Sequence, residues 1–171
     1  MTPRIFFRDE MTPRKPREFT WKLFHGQVNV EKKLKVMRLS DGICKICQTH
    51  TEDFEHMVTH CNEIPRIWDK MYQIIQLVKP DFTFTGDIIY FGQTSDDPES
   101  NTVINTVISV ARWHIWKRRC SNKYDNKLIP IDACLVNIMS NIFEHLTLLC
   151  KKPKFCEKTN TIRTWIKDQT V

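Results

Sequence analysis

The chain has 171 residues, of which 41% are hydrophobic, so it is long enough to bury a hydrophobic core of its own. Its 26 lysines and arginines exceed its 20 acidic residues, and the formal net charge of +6 predicts a negatively charged partner. Because no stretch of about 18 apolar residues occurs, we expect no membrane span, no membrane partner and a location in the nucleus or cytoplasm.

Basic residues are concentrated near the beginning of the chain. Residues 1–38 contain ten basic and four acidic residues, a local net charge of +6 (10 − 4) that is suited to a phosphate backbone. Pro3, Pro13 and Pro16 disfavour a regular helix in the first part of this stretch. We therefore predict a basic, disordered arm over residues 1–18 and a folded region that begins near Phe19.

A short amphipathic helix is predicted after Asn29, which is a suitable N-cap residue. Apolar residues recur at three- and four-residue steps along one face of this segment, and its lysines fall on the opposite face. The sequence thus predicts a basic surface formed by Lys32, Lys33 and Lys35.

Four potential metal ligands follow this helix in close succession. Cys44, Cys47, His56 and Cys61 form the pattern Cys-x2-Cys-x8-His-x4-Cys, which supplies the four soft ligands of a tetrahedral zinc site. A catalytic zinc ion needs an open coordination position, whereas here all four positions would be filled by protein. We therefore predict a structural zinc ion held in a CCHC knuckle.

Two neighbouring histidines leave the ligand set open. His60 lies four residues after His56, so a helix would place both on one face and allow His60 to replace Cys61. We prefer Cys61 because a thiolate is the better zinc ligand, and we expect His50 to face solvent. The odd number of cysteines, seven, argues against a disulfide framework, and core packing is expected for Cys120, Cys134, Cys150 and Cys156.

Three longer segments downstream have helical periodicity. They cover about residues 62–78, 100–123 and 131–149, whereas residues 81–91 indicate a short strand or an extended loop. We predict a mainly α fold with few or no strands, built around the zinc knuckle. Its expected parts are a zinc-binding lobe over residues 19–79, a helical lobe over 80–152 and a C-terminal tail over 153–171.

Aromatic and basic residues alternate near the end of the helix predicted over residues 100–123. Tryptophan rings could stack on unpaired bases while the cations hold phosphates. For Trp113 and Trp116 we favour the alternative, burial against the next helix, and for the arginines both phosphate contact and solvation stay open. The complete set of predicted nucleic-acid contacts is Lys32, Lys33, Lys35, Arg112, Trp116, Lys117, Arg118, Arg119 and Lys123.

Several of these features occur together in a known family. Residues 21–26, the basic stretch to Leu39, Cys44-x2-Cys47, residues 52–56, Cys61 and Trp68 resemble the zinc-binding segment C-terminal to the reverse transcriptase domain of non-LTR retrotransposons. Residues 90–92 and 111–119 are similar, less specifically, to later parts of that family pattern. The resemblance implies zinc ligation by the CCHC residues and a role in gripping template RNA or target DNA.

The catalytic parts of such enzymes are not recognisable in this chain. Asp96 and Asp97 stand in a polar cluster that predicts a loop and a helix N-terminus rather than a polymerase metal site. We expect a non-catalytic, zinc-stabilised nucleic-acid-binding domain that has no small-molecule substrate. A reverse transcriptase or a host protein is expected as a further partner of this domain. The alternative is a protein-interaction module that keeps the zinc fold without binding nucleic acid.

Overall fold

The computed structural model describes residues 12–95 and 97–169, and within those ranges it is mainly helical. The β-structure within these ranges consists of an isolated antiparallel bridge between Ile43 and Thr51. The elements are α1 (Arg14–Phe24), α2 (Glu31–Val36), a π-helix (His56–His60), α3 (Ile64–Gln76), α4 (Gly86–Phe91), α5 (Pro98–Tyr124), α6 (Ile131–Leu149) and α7 (Pro153–Asp168). The predicted mainly α fold is confirmed.

Helix α5 is the central element of the structure. It contacts α1, α3, α6, α7 and the π-helix, and it is buried over most of its circumference. Ile104, Ile108, Ala111 and Ile115, which recur at three- and four-residue steps along this helix, are all buried. Asp97 caps the helix by accepting a hydrogen bond from the Ser100 backbone N–H at 3.0 Å, as its position before an apolar run predicted.

Helix α1 begins at Arg14, inside the segment that we predicted to be disordered. Pro13 occupies the N-cap and Pro16 lies in the first turn, where a missing N–H removes no intrahelical bond. The helix is held by Phe19, which is buried and stacks on Trp116 at 5.5 Å between ring centroids. The prediction of disorder was therefore wrong for residues 14–18, and residues 1–11 lie outside the described part of the chain.

Two other segments are more helical than the sequence indicated. Residues 86–91, which fall in the segment predicted as a strand or loop, form α4, and its C-cap residue Gly92 has a φ of +79°. The expected C-terminal tail forms α7 and buries Phe155, Ile162 and Ile166. None of the helices within residues 12–95 and 97–169 has the length and apolar composition required to cross a bilayer.

Candidate metal centre

A short loop between α2 and the π-helix positions the first two potential ligands. Hydrogen bonds from the Cys44 N–H to the His50 carbonyl (2.9 Å) and from the Glu52 N–H to the Gly42 carbonyl (3.0 Å) close this loop. Gly42 adopts a φ of +86°, a conformation that favours glycine, and so allows the chain to reverse direction. The turn between Cys44 and Cys47 is thereby held in place.

The π-helix presents the histidine. Asp53 accepts a hydrogen bond from the His56 backbone N–H at 2.9 Å, and the Cys61 N–H donates to the His56 carbonyl at 2.8 Å. The indole Nε1 of Trp68 donates to the Val58 carbonyl at 2.7 Å, which ties the π-helix to α3. Cys61 then leaves the helix in an extended conformation, with its side chain buried.

These elements bring the four preferred residues together. The sulfur atoms of Cys44, Cys47 and Cys61 and a ring nitrogen of His56 all lie within 4.8 Å of one another. The Cys44 Sγ to Cys61 Sγ distance is 3.7 Å, and the Cys47 Sγ to His56 Nε2 distance is 3.4 Å. Tetrahedral zinc bonds of about 2.3 Å to sulfur and 2.0 Å to nitrogen separate ligand atoms by roughly 3.5–3.8 Å. The donor set and its spacing therefore fit a zinc ion.

Two of the three cysteines, Cys44 and Cys47, are shifted toward the deprotonated form that a metal requires. A hydrogen bond from the Cys61 thiol lowers the pKa of Cys44, and the same contact raises the pKa of Cys61. Partial burial works against ionisation of Cys47, yet hydrogen bonds from Thr49 and His50 lower its pKa to about 5. Thiolates that exist at neutral pH suit a divalent cation, because metal ions compete with protons for sulfur.

The competing histidines lie at the edge of the cluster or outside it. His60 is exposed at the end of the π-helix and is not among the residues brought together. His50 is also exposed; its Nδ1 lies 3.9 Å from Cys47 Sγ and 2.8 Å from the Thr49 hydroxyl. This arrangement supports the preference for Cys61 over His60.

Candidate nucleic-acid interface

Three arginines that we predicted at a nucleic-acid surface are enclosed in the fold. Arg112, Arg118 and Arg119 have relative exposures of 0%, 1% and 2%. Their guanidinium groups donate to protein acceptors, so phosphate contact by these residues is incompatible with the structure. This part of the predicted interface was wrong.

Arg119 binds two acidic residues in the interior. Its Nη2 donates to Glu52 at 2.8 Å and to Glu31 at 2.7 Å, and both carboxylates are buried. Glu31 also accepts hydrogen bonds from Lys123 and from the Ser40 hydroxyl. These contacts connect the end of α5 to α2 and to the metal-binding loop.

Arg112 and Arg118 connect α5 to other elements. Arg112 Nη1 donates to two carbonyls in the last turn of α4, at 3.1 and 2.8 Å, which have no partner within their own helix. Arg118 donates to the Glu63 carboxylate at 2.5 Å and to the Ile129 carbonyl at 2.8 Å. Through these contacts the three arginines connect α5 to five other parts of the chain: α2, the metal-binding loop, α4 and the residues just before α3 and α6.

The other predicted contacts have mixed environments. Lys32, Lys35 and Lys117 are exposed, whereas Lys33 is half-buried and donates to the Gly26 carbonyl at 2.8 Å. Trp116 is half-buried and stacks on Phe19 of α1, so its ring is partly enclosed by the fold. Lys123 is committed to Glu31.

Sequence reasoning missed a polar cleft of about 450 Å³ beside the metal-binding loop. The Asn122 amide donates to the Lys45 carbonyl at 2.9 Å and so brings the end of α5 against this loop. The cleft is lined by Glu31, Leu39, Ser40, Lys45, Gln48, Asn122, Lys123 and Asn126. These residues come from distant parts of the chain, so no local pattern could have indicated the cleft.

Residues 3–68 match the family model described as zinc-binding in reverse transcriptase. No curated protein and no solved structure gives a significant match to the chain. The matched region contains the complete cysteine and histidine cluster, the loop that positions it and Trp68 at its end. The resemblance inferred from the sequence is confirmed for residues 3–68, which are similar to the zinc-binding segment associated with reverse transcriptases.

Proposed function

We propose that the protein is a zinc-stabilised nucleic-acid-binding domain, without catalytic activity of its own, that helps a reverse transcriptase grip template RNA or target DNA. The observation that carries the proposal is the polar cleft beside the metal-binding loop. It combines amide side chains with cations at the point where the loop meets the end of α5.

The zinc ion would be held by Cys44, Cys47, His56 and Cys61. Four protein ligands leave no open position for water or substrate, so the metal would stabilise the loop rather than take part in hydrolysis. The loop in turn forms one wall of the cleft, through Lys45 and Gln48. Zinc binding and nucleic-acid binding would therefore be linked through one short segment.

The lining of the cleft suits an unpaired nucleotide. Gln48, Asn122 and Asn126 offer amide donors and acceptors of the kind that bind base edges in single-stranded RNA or DNA. Lys45 supplies a cation on the same surface. The side chain of Lys35 brings a second lysine to this region, because it packs directly against Gly42 of the loop. A Cβ atom added to Gly42 would lie 2.7 Å from Lys35 Cδ.

The buried arginines change which residues would contact phosphates. The predicted cations that are exposed are Lys32, which lies 3.4 Å from Asp53, Lys35 and Lys117. Lys45 of the loop, which pairs with the exposed Asp41 at 2.8 Å, is a further candidate. Each phosphate contact that is removed should reduce the salt dependence of binding by about one unit of slope.

The alternative function, protein interaction, is supported by a second feature. An open, largely apolar groove of about 690 Å³ lies between α3, α6 and α7. Leu135, Val136, Met139 and Phe143 line it, and Val136 is 64% exposed. The occupant that fits such a groove is the apolar face of a helix from a partner protein.

Fluorescence anisotropy of zinc-loaded protein tests the proposal, with single-stranded RNA, single-stranded DNA and duplex DNA at two salt concentrations. We expect salt-sensitive binding with one zinc ion per chain. The double variant Lys35→Gln/Lys45→Gln should bind at least about tenfold more weakly. The matched control Lys151→Gln/Lys154→Gln removes the same amount of charge at the beginning of α7. It should change the affinity for nucleic acid by less than about threefold.

Two results would contradict the proposal. An equal loss in both double variants would mean that binding follows net charge and not the cleft. Stoichiometric zinc without binding to any of the three nucleic acids at low salt would support the protein-interaction module instead. In that case Val136→Asp should abolish capture of the partner protein while leaving zinc content unchanged.

A further inference from the structure

Two cysteines meet at the corner between α6 and α7, far from the metal cluster in sequence. Cys150 is the C-cap residue of α6, and Cys156 lies in the first turn of α7. Their sulfur atoms are 3.3 Å apart, and both residues are partly exposed. The expectation that these cysteines simply pack in the core was therefore wrong.

We propose that Cys150 and Cys156 form a redox site, at which a peroxide converts the two thiols into a reversible intramolecular disulfide. The pair lies outside the region that matches the zinc-binding family model, so this inference does not depend on the proposed nucleic-acid function.

Polar neighbours hold the two sulfur atoms together. The Cys150 thiol donates to Asn160 Oδ1 at 3.4 Å, and Asn160 Nδ2 donates to Cys156 Sγ at 3.3 Å. Arg163 Nη1 donates to the same amide oxygen at 2.8 Å. Cys156, Asn160 and Arg163 follow one another at four and three residues along α7 and so share one face of that helix. This face places an amide and a guanidinium group beside the thiols.

The two thiols are not equivalent. The hydrogen bond from Cys156, followed by that from Thr159 and the charge of Arg163, lowers the pKa of Cys150, whereas the pKa of Cys156 is raised by the same pairing. Cys134 is a contrast, because burial raises its pKa to about 11. Cys150 is therefore the attacking sulfur and Cys156 the resolving one.

The reaction proceeds in two balanced steps. The Cys150 thiolate attacks one oxygen of hydrogen peroxide, the O–O bond breaks, and Cys150 becomes a sulfenic acid. The hydroxide that leaves takes up the proton that Cys150 released on ionisation and becomes water. The Cys156 sulfur attacks the Cys150 sulfur, the S–O bond breaks, and the departing hydroxide takes the Cys156 thiol proton to form a second water. The two thiols have supplied two electrons to the peroxide.

The geometry requires only a local adjustment. A disulfide bond is about 2.05 Å long, so the sulfur atoms must approach by roughly 1.2 Å from their present separation. Both side chains lie at a helix boundary, where rotation about χ1 is less restricted than in the packed middle of α6. The other half-exposed cysteine outside the metal cluster, Cys120, has a pKa raised by burial and serves as a reference for slow oxidation.

The test uses the full-length, zinc-loaded protein and hydrogen peroxide. After each dose the remaining thiols are alkylated, the protein is digested, and mass spectrometry identifies cross-linked peptides while zinc content is measured on the same sample. We expect a Cys150–Cys156 cross-link, lighter by two hydrogen atoms, at doses that leave zinc bound. Dithiothreitol should reverse it.

Variants identify the role of each thiol. Cys156→Ser should leave a sulfenic acid on Cys150 that a cyclic dione reagent captures, whereas Cys150→Ser should slow oxidation of Cys156 at least about tenfold. Cys120→Ser should form the cross-link at the wild-type rate. The proposal would be overturned if Cys150 and Cys156 were both still alkylated as free thiols at peroxide doses that had already released the zinc. It would also be overturned if the cross-link formed no faster than Cys120 was oxidised.

Discussion

Arg119 and Glu52 form an ion pair enclosed in the protein interior, in which Nη2 and Nε of the arginine lie 2.8 and 3.1 Å from the same carboxylate oxygen. Glu52 closes the metal-binding loop through its backbone, and Arg119 lies near the end of α5. The pair therefore couples the loop to the central helix. Because both side chains are almost fully buried, removing one partner leaves an uncompensated charge.

Replacing the arginine should be strongly destabilising. We expect Arg119→Met to lower the free energy of unfolding by about 3–5 kcal/mol, because Glu31 and Glu52 would both lose a charged partner. Urea denaturation of the zinc-loaded protein measures this change. Lys117→Met, at an exposed position of the same helix, is the matched control and should stay within about 0.5 kcal/mol of the wild type. Similar losses in both variants would contradict a structural role for the buried pair.

Metal binding should depend on Cys61 and not on His60. We expect Cys61→Ser to weaken zinc binding by more than about 100-fold, since changes outside the ligand set already cost 10- to 100-fold. His60→Ala should retain one zinc ion per chain with unchanged affinity, because the imidazole is exposed outside the cluster. Competition with a chromophoric chelator gives both affinities. Loss of zinc in His60→Ala, with retention in Cys61→Ser, would reverse the ligand assignment.

Gly42 should tolerate no side chain, in contrast to Gly86. Its φ of +86° is costly for other residues, and a Cβ would also displace the Lys35 side chain. We expect Gly42→Ala to destabilise the protein by about 1–2 kcal/mol. Gly86→Ala introduces a methyl group into open space at the first residue of α4 and should be neutral or slightly stabilising. Thermal unfolding of both variants makes the comparison, and equal effects would show that backbone conformation at Gly42 is not limiting.

Asp97, the N-cap residue of α5, should make the free energy of unfolding depend on pH in the acid range. A hydrogen bond from Lys158, followed by those from Ser100, lowers the pKa of Asp97. A carboxylate with a lowered folded-state pKa stabilises the protein above its unfolded pKa of about 3.9, and this contribution is lost as the pH falls below that value. We expect Asp97→Asn, which keeps a capping oxygen, to be less stable by on the order of 0.5 kcal/mol at neutral pH, because the pair is partly exposed.

The difference between Asp97→Asn and wild type should shrink as the pH falls below about 3.9 and vanish only below the lowered folded-state pKa of Asp97. Taking the difference cancels the effect of acid on zinc binding, which is common to both proteins. Denaturation curves collected from neutral to acid pH provide the measurement. A difference that stays constant with pH would mean that the charge of Asp97 contributes nothing.

The burial of the arginines in α5 was not predicted correctly from the local sequence pattern. Ile108 and Ile115 belong to the apolar face of α5 and are buried, and Arg112 and Arg119 each follow one of them by four residues, on the same helical face. Periodicity therefore indicated burial, but a charged residue is normally excluded from the interior unless it is paired. The partners of Arg119 lie 67 and 88 residues away, so the sequence offered no means to identify them.

Helices with a strong apolar stripe were predicted well, and those without one were not. The ranges of α5 and α6 agree with their apolar periodicity to within two residues. Helix α7 is mostly polar and its helical state depends on Phe155, Ile162 and Ile166, which pack against the rest of the structure. Packing of this kind stabilises a helix that intrinsic preference alone leaves marginal.

The sequence by itself determined the mainly helical class, the resemblance of residues 3–68 to a zinc-binding segment and the four residues that come together as a potential metal site. All three depend on spacing within short segments, which backbone geometry converts directly into position. Only the tertiary structure decided which cations are exposed, where the polar cleft lies and that Cys150 meets Cys156. Exposure and the cleft depend on contacts between residues distant in the chain, and the thiol pair depends on the packing of α7, which the sequence pattern did not predict.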